Sequence, residues 1–190
     1  MDSTYGQLDA QNNLGVRYNN GEGVEQDYER AMEYYELAAD QGHAKAQNNL
    51  GSCYFYGNGV EQDYEKAVEY FQLAADQGDA DAQYNLGSCY ADGFGVEQDN
   101  EKAVEYFTLS AEQDYPGALF VLGVCYQDGT GVEKDLEKAA ELYQQALDAG
   151  YEPDEEDQVR LEEVLGEDAA PQTEMETEQE STLVRRAGDK

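Results

Sequence analysis

The residues of this chain best suited to chemistry are three cysteines and one histidine. Cys53, Cys89 and Cys125 lie 36 residues apart, and His43 is the single histidine of the sequence. A thiol beside an imidazole is the usual arrangement of a cysteine nucleophile and its base, so His43 with Cys53 is the pair to consider. One such pair without a motif is weak support, and because His43 follows a glycine at a predicted turn, we expect it to be exposed. The sequence therefore does not predict an enzyme.

The three thiols could in principle share a metal ion. Thiolates on one zinc ion lie about 4 Å apart, given Zn–S bonds of about 2.3 Å. Cysteines at one position of successive helical units would lie about 10 Å apart, by the usual spacing of packed helices. An odd number of cysteines, with one in each unit, also argues against a disulfide framework. We therefore expect partly buried free thiols in a reducing compartment, and no cofactor.

The 36-residue spacing of the cysteines extends through most of the sequence. Alanine, leucine, glycine, tyrosine and aspartate recur at fixed positions of four successive units, among them Ala10/Ala46/Ala82/Ala118, Leu14/Leu50/Leu86/Leu122, Tyr18/Tyr54/Tyr90/Tyr126 and Asp27/Asp63/Asp99/Asp135. A fixed period of this size is typical of a solenoid, in which each unit buries its apolar face against its neighbours. The period predicts a lead-in of residues 1–9 and four units, residues 10–45, 46–81, 82–117 and 118–153.

Each unit has the pattern of two helices joined by a short loop. In the second unit Ala46, Leu50 and Tyr54 fall at i, i+4 and i+8, which is the apolar stripe of a first helix. A glycine pair then supplies the dihedral freedom of a tight loop. Asp63 is a suitable N-cap for the second helix, and Gly78 is placed to end it as a left-handed cap. The unit is therefore predicted to be a helix–loop–helix hairpin.

A glycine stands inside the first helix of every unit, at Gly15, Gly51, Gly87 and Gly123. Such a glycine costs about 1 kcal/mol relative to alanine, so its recurrence calls for a compensating interaction. Close approach of the two helices over the missing Cβ is the simplest explanation. We therefore expect valine at Gly51 or Gly87 to lower the melting temperature strongly.

The consensus of the units can be compared with known repeats. The second unit reads AQNNLGSCYFYGNGVEQDYEKAVEYFQLAADQG, while the third departs from its pattern at Asn100 and Ser110 and the fourth at Leu142 and Leu147. The pattern AxxxLGxxYxxGxGVxxDxxKAxxYYxxAAxxG resembles the Sel1-like repeat, a relative of the tetratricopeptide repeat with a longer loop. This resemblance implies an all-α fold, a right-handed α-solenoid of helix–loop–helix repeats, which acts as a scaffold or adaptor for other proteins.

Residues on a second face of the first helices vary between units while the skeleton does not. The resemblance to tetratricopeptide repeats places ligand contacts at these positions, along a concave groove. Aromatic side chains there would anchor a peptide, and asparagines would hydrogen-bond its extended backbone. The alternative for Phe55 and Phe120 is that they pack against neighbouring helices as core residues. The candidate groove residues are Asn12, Val16, Asn19, Asn48, Ser52, Phe55, Tyr84, Ser88, Phe120, Val124 and Gln127.

The net charge of −32 is the other strong feature of the sequence. Such a charge repels nucleic acid and anionic lipid, and binding to either requires a basic patch. It favours a basic protein partner, or simply marks solvated outer helix faces. The first residues show neither the basic nor the apolar region of a signal peptide, and no apolar stretch is long enough to span a membrane. We therefore expect a monomeric cytoplasmic protein.

The period is lost after residue 150. Pro153 can begin a helix with a narrow apolar face formed by Leu161, Val164 and Leu165. We predict that residues 153–166 form a polar capping helix over the last repeat. Residues 167–190 are rich in glutamate, threonine and glutamine with few apolar residues, which predicts a disordered acidic tail.

The predicted function is that of a scaffold or adaptor that binds a peptide or protein segment in the groove. One alternative is a regulatory subunit that recruits a basic partner through its acidic surface. The other is a thiol- or metal-dependent protein that uses the three cysteines with His43. A thiol of low pKa would favour this last alternative.

Overall fold

The structure is a computed structural model that describes the backbone of residues 3–166 and the side chains of residues 6–166. Every regular element in this range is an α-helix. The predicted tail, residues 167–190, lies outside the described residues. The helices are α1 (Ser3–Asn20), α2 (Tyr28–Ala39), α3 (Ala44–Tyr56), α4 (Tyr64–Ala75), α5 (Ala80–Asp92), α6 (Asn100–Ala111), α7 (Pro116–Asp128), α8 (Leu136–Asp148) and α9 (Glu155–Leu165).

Helices α1 to α8 form four hairpins within a compact unit that ends at Tyr151. The two helices of a hairpin pack on each other, and the second helix also packs on the first helix of the next hairpin. Each hairpin thus buries its apolar face against its neighbours, as in a solenoid. The prediction of an all-helical α-solenoid is therefore confirmed.

Aspartate begins the second helix of every hairpin. The side chains of Asp27, Asp63, Asp99 and Asp135 each accept a hydrogen bond from the backbone N–H three residues later, at 3.0–3.1 Å. Such a cap satisfies one of the N–H groups that the first turn of a helix leaves unpaired. The repeated aspartate is therefore explained by capping, as predicted for Asp63.

The ends of the second helices differ slightly from the prediction. Helix α4 ends at Ala75 with Asp76 as its C-cap, so Gly78 lies in the following turn rather than at the cap. Gly78 still has the expected left-handed backbone, with φ of +86°. In the third hairpin Asp114 holds the corresponding conformation, with φ of 57°.

The glycine inside each first helix lies directly beneath an aromatic ring of the second helix. A Cβ added at Gly51 would lie 2.7 Å from the ring of Phe71, and one at Gly87 would lie 2.7 Å from the ring of Phe107. The corresponding rings over Gly15 and Gly123 belong to Tyr35 and Tyr143. This contact confirms the predicted close approach of the two helices.

A glycine of each loop forms a second close contact, this time between hairpins. A Cβ at Gly59 would lie 2.6 Å from the carbonyl oxygen of Tyr28, at the start of the preceding second helix. Gly95 and Gly131 lie at least as close to the carbonyls of Tyr64 and Asn100. The loop of each later hairpin is therefore seated on the backbone of the hairpin before it.

Helix α9 belongs to a separate unit that begins at Glu152. The side chain of Asp154 accepts hydrogen bonds from the N–H groups of Glu156 and Asp157, each at 2.9 Å. The Asp157 side chain accepts in turn from the Asp154 N–H, which completes a capping box. A helix thus lies within the predicted range 153–166, and its role as a cap for the repeats stays a prediction.

Candidate protein-interaction surface

A row of asparagines joins the first helices of the first three hairpins. The Asn49 side chain donates to Asn12 Oδ1 at 2.8 Å, and the Asn85 side chain donates to Asn48 Oδ1 at 2.9 Å. Both bonds cross from one hairpin to the next. The predicted groove residues Asn12 and Asn48 therefore help to hold neighbouring first helices together. Asn12 is buried, whereas Asn48 keeps part of its surface exposed.

Two serines lie on the same face as the asparagine row. Ser52 and Ser88 are partly exposed, and each hydroxyl donates at 3.1 Å to the carbonyl four residues earlier, those of Asn48 and Tyr84. The predicted groove residues Val16, Asn19 and Val124 are also half-buried. This surface, called here the first-helix face, offers small polar side chains with limited exposure.

Phe120 and Gln127, two of the predicted groove residues, belong to the core. Phe120 is 4% exposed, and its ring stacks on that of Tyr151, with 4.4 Å between the ring centroids. Gln127 is also buried, and its side-chain oxygen accepts a hydrogen bond from the Tyr143 hydroxyl. Phe120 is therefore a packing residue, as the alternative interpretation held, and not a surface anchor.

Tyr84 packs in the same way as Phe120, one hairpin earlier. Its ring lies 5.3 Å from that of Tyr115 and 5.8 Å from that of Phe107, although part of it stays exposed. The sequence contains a signal for this pairing. The residues 36 positions before Tyr84 and Tyr115 are both polar, and those 36 positions after them are both aromatic, so the two positions change together.

Phe55 is part of an exposed aromatic cluster at the junction of the second and third hairpins. Its ring lies 5.0 Å from those of Tyr56 and Tyr64 and 5.6 Å from that of Phe94, between centroids. Tyr64 and Phe94 also stack, at 4.9 Å. Tyr56 is 69% exposed and Phe94 is 37% exposed. We call Phe55, Tyr56, Tyr64 and Phe94 the aromatic cluster.

The sequence prediction missed Tyr56, Tyr64 and Phe94 of this cluster, although a signal for Tyr56 and Phe94 was present. Phe94 stands between the loop glycines, where the other units have Glu22, Asn58 and Thr130. Tyr56 stands where the third unit has Asp92. Both aromatics therefore depart from the repeat at positions that are otherwise polar or small. The groove was predicted from first-helix positions alone, so the loop residue Phe94 was not among the candidates.

His43 is buried, so the expectation that it is exposed to solvent is wrong. Its Nδ1 accepts a hydrogen bond from the backbone N–H of Ala46 at 3.2 Å and so caps α3. Its Nε2 lies 3.1 Å from the Asp9 carboxylate, on the first helix of the preceding hairpin. Asp79 caps α5 in the same way. His43 therefore has a structural role, because it caps the start of α3 and contacts the preceding hairpin.

The three cysteines are buried free thiols, as expected. Burial raises the pKa of Cys53 and Cys125 to about 11 and that of Cys89 to about 12, from an ordinary 9.0. A reactive thiol requires the opposite shift, towards a stable thiolate. The thiols therefore lack the property that would favour a thiol-dependent function.

We expect the thiols to react slowly in the folded protein. At pH 8 a thiol of pKa about 11 is about one-thousandth thiolate, against about one-tenth for an ordinary thiol, so the reactive fraction falls about 100-fold. Dithionitrobenzoate at pH 8 should label all three thiols quickly only after unfolding in guanidinium. Labelling of the native protein at the rate of the unfolded chain would contradict the burial.

The raised thiol pKa values also predict a loss of stability at alkaline pH. The neutral thiols contribute fully below pH 9, and the contribution is lost as the pH rises towards the folded pKa of about 11, because the unfolded thiols ionise first. We expect each thiol to cost about 1.4 kcal/mol, and the three about 4 kcal/mol together, by pH 10. In urea unfolding, the free energy of unfolding should fall between pH 8 and pH 10. This fall should be smaller by that amount in a variant with all three cysteines changed to alanine. An equal loss in both proteins would contradict this origin.

The described residues contain no group of three or more histidine, cysteine or acidic side chains arranged to hold a metal ion. None of the helices in residues 3–166 combines the length and the apolar character that a membrane span requires.

Comparison with known proteins identifies the repeat. The family model described as "Sel1 repeat" matches four times, at residues 8–43, 44–79, 80–115 and 116–151. These matches have the predicted period of 36 and begin two residues before the predicted units. No curated protein sequence matches the chain.

Two solved structures are similar to most of the chain. One is c5321, a protective antigen of uropathogenic Escherichia coli strains with an SLR fold, at 39% identity and a TM-score of 0.74, covering 85% of this chain and 34% of that one. The other is a Sel1 repeat protein from Oxalobacter formigenes, at 33% identity and a TM-score of 0.75, covering 86% and 66%. The chain thus spans about a third of the first protein and about two thirds of the second.

The cysteine-rich protein B of Helicobacter pylori shares the fold, at 23% identity and a TM-score of 0.54 over 70% of this chain and 96% of that one. Sel1 repeat proteins are generally scaffolds for protein–protein interaction. The four matches to the family model cover residues 8–151 without a gap. The chain belongs to the Sel1 repeat family.

Proposed function

We propose that the protein is an interaction scaffold whose first-helix face binds an extended segment of another protein. The observation that carries this proposal is the exposed aromatic cluster. On α3 and α5 it adjoins the partly exposed side chains of Asn48, Asn49, Ser52 and Ser88, which we call the polar row. Tyrosine is among the residue types that most often dominate binding energy, and the cluster contains two, Tyr56 and Tyr64. The proposed binding site is therefore centred on the second and third hairpins.

The polar row supports an extended peptide as the ligand. Asn48 uses its side-chain oxygen for Asn85, and in the described part of the chain its amide nitrogen has no hydrogen-bond partner. Asn49 likewise uses its nitrogen for Asn12 and leaves its oxygen available. One donor and one acceptor on adjacent residues match the alternating N–H and C=O groups of an extended backbone.

The acidic charge bears on the kind of partner. With a net charge of −32, the scaffold attracts basic segments and repels acidic ones. We therefore propose a basic protein as the partner and a monomeric scaffold, because two copies with this charge repel each other.

The test is to block the first-helix face without removing any packing residue. Ser52→Arg together with Ser88→Arg places two long side chains over the face at partly exposed positions, and arginine is compatible with a helix. Affinity capture followed by mass spectrometry should show at least tenfold less partner than with the unaltered protein. Circular dichroism establishes that the variant is folded.

The matched control adds the same two charges elsewhere. Thr130→Arg with Gln144→Arg alters exposed positions of the fourth hairpin and should leave capture unchanged. Equal capture by the blocked variant and the control would contradict the first-helix face as the site. An equal loss of captured partner in the blocked variant and the control variant would show that the added positive charge, and not its position, reduces binding.

A further inference from the structure

The second helices carry an exposed row of leucines. Leu37, Leu73 and Leu109 occupy the same position of α2, α4 and α6, and they are 51%, 49% and 45% exposed. Single exposed leucines are ordinary on protein surfaces, whereas the same exposure in three successive hairpins forms a regular apolar line. We call these three residues the leucine row. None of them belongs to the first-helix face.

Acidic side chains flank the leucine row on both sides. Four residues before each leucine stands an exposed glutamate, and three residues after it stands another exposed acid, so all three positions share one helix face. A depression of about 360 Å³ lies between the acids and the leucine of α2. The flanking acids are Glu33, Glu69 and Glu105 on one side and Asp40, Asp76 and Glu112 on the other.

The cations of these helices do not neutralise the flanking acids. Arg30 pairs with the N-cap Asp27 at 3.3 Å, and its guanidinium lies over the ring of Tyr18. Lys66 and Lys102 make the same two contacts in the next hairpins, with ion pairs of 3.7 and 3.8 Å. Among the described residues, the six flanking acids have no ion pair. Their negative charge is therefore open to a partner.

The fourth hairpin lacks the leucine and one of the two unpaired flanking acids. Gln145 stands where the other hairpins have the leucine, and Glu141 is paired with Lys138 at 3.1 Å. The combination of an exposed leucine with unpaired acids is therefore confined to three hairpins. Packing within the repeats does not require it, because α8 packs on α7 without it.

The spacing of the row suits a helix. Second helices of neighbouring hairpins approach each other, since the Tyr106 hydroxyl of α6 donates to the Gln72 side chain of α4 at 3.0 Å. Successive hairpins of a helical array are spaced by about one helix diameter, so successive leucines of the row are separated by roughly 10 Å. Residues seven apart in a helix are separated by about 10.5 Å. A helix lying across α2, α4 and α6 can thus place one apolar residue per heptad against each leucine.

We propose that the leucine row binds an amphipathic helix of a basic partner protein. Its apolar stripe contacts Leu37, Leu73 and Leu109, and its lysines and arginines pair with the acids on both sides. A second copy of this chain is a poor occupant, because it would bring two sets of unpaired acids together. This site is independent of the first-helix face, so either can fail without the other.

The direct test uses a designed peptide as the probe. A labelled 18-residue peptide of leucine, lysine and alanine carries leucine at a and d of successive heptads. An isomer of the same composition spreads its leucines evenly around the helix. Fluorescence anisotropy with the full chain in 50 mM salt should give at least tenfold tighter binding for the amphipathic peptide. Equal binding of the isomer would overturn the proposal, since charge alone would then explain it.

Two variants of the row and two matched controls locate the site. The triple variant Leu37→Gln, Leu73→Gln and Leu109→Gln should bind the amphipathic peptide at least tenfold more weakly than the unaltered protein. The triple variant Glu33→Gln, Glu69→Gln and Glu105→Gln should show a loss of the same size. The control Leu136→Gln removes a leucine that is 51% exposed outside the row, and Glu61→Gln with Glu97→Gln and Glu133→Gln removes three exposed loop charges. Both controls should stay within threefold of the unaltered protein. Equal losses in the row variants and the controls, or no loss in either row variant, would overturn the site.

The chain itself contains one other candidate occupant. Leu183-Val184-Arg185-Arg186 is a short basic and apolar sequence outside the described residues. If this segment covered the leucine row, the double variant Arg185→Gln and Arg186→Gln would bind the probe peptide at least tenfold more tightly than the unaltered chain does. That result would overturn a partner protein as the occupant. Unchanged binding by this variant supports the partner.

Discussion

Gly51→Val and Gly87→Val are each expected to lower the melting temperature by roughly 6–12 °C, from a loss of about 3 kcal/mol in the free energy of unfolding. The physical reason is the aromatic ring of the second helix, since an added Cβ would lie 2.7 Å from Phe71 or from Phe107. Both rings are only 2% exposed and are held by the core, so neither can move aside freely. Thermal unfolding followed by circular dichroism measures the effect.

A helical glycine without such a ring provides the control. Gly6 lies in α1 with nothing within 4 Å of an added Cβ, so Gly6→Ala should raise stability, by up to about 1 kcal/mol, through helix propensity alone. Gly51→Ala should instead be destabilising. Combining it with Phe71→Leu, which shortens the opposing side chain, should cost less than the sum of the two single changes. Melting of both valine variants at the temperature of the unaltered protein would contradict the close-packing explanation.

Gly95→Ala is the second change with a large expected effect, a loss of roughly 2–4 kcal/mol. Its φ of +71° costs an alanine about 1–2 kcal/mol. The new Cβ would in addition collide with the carbonyl of Tyr64, a backbone group at the start of α4 that cannot turn away without disturbing the helix. Urea unfolding at neutral pH measures the change.

Gly78→Ala separates the two causes of this loss. Gly78 has a similar φ of +86°, but nothing lies within 4 Å of its added Cβ. This variant should therefore lose only the conformational part, about 1–2 kcal/mol. If Gly95→Ala is no more destabilising than Gly78→Ala, the loop does not rest on the preceding hairpin as described.

The fold could be predicted because its determinants are local and repeated. The apolar stripe through Ala46 and Leu50 identifies the first helix, and Asp63 marks the start of the second. Gly51 even indicated that the two helices touch, because a recurrent helical glycine needs a compensating contact. Each of these signals depends on one hairpin and its immediate partner.

The candidate site was harder to predict, because exposure depends on contacts between hairpins. Asn48 and Phe120 occupy the same position of their units, yet one is partly exposed and the other is buried. The difference lies 31 residues further along the chain, where Tyr151 covers Phe120 while a polar residue stands after Asn48. His43 was misjudged for the same reason, since Asp9 of the preceding hairpin lies over it. A variable position thus indicates freedom from the repeat but does not indicate exposure.

The seating of each loop on the hairpin before it gives the array a direction. Gly59, Gly95 and Gly131 rest on carbonyls of an earlier second helix, whereas Gly23, in the first hairpin, faces Arg17 of its own hairpin and no other of the described residues. During synthesis from the amino terminus, the second helix on which a loop rests leaves the ribosome before that loop does. The nascent chain can therefore acquire its structure one hairpin at a time, and no hairpin has to wait for a later one to seat its loop.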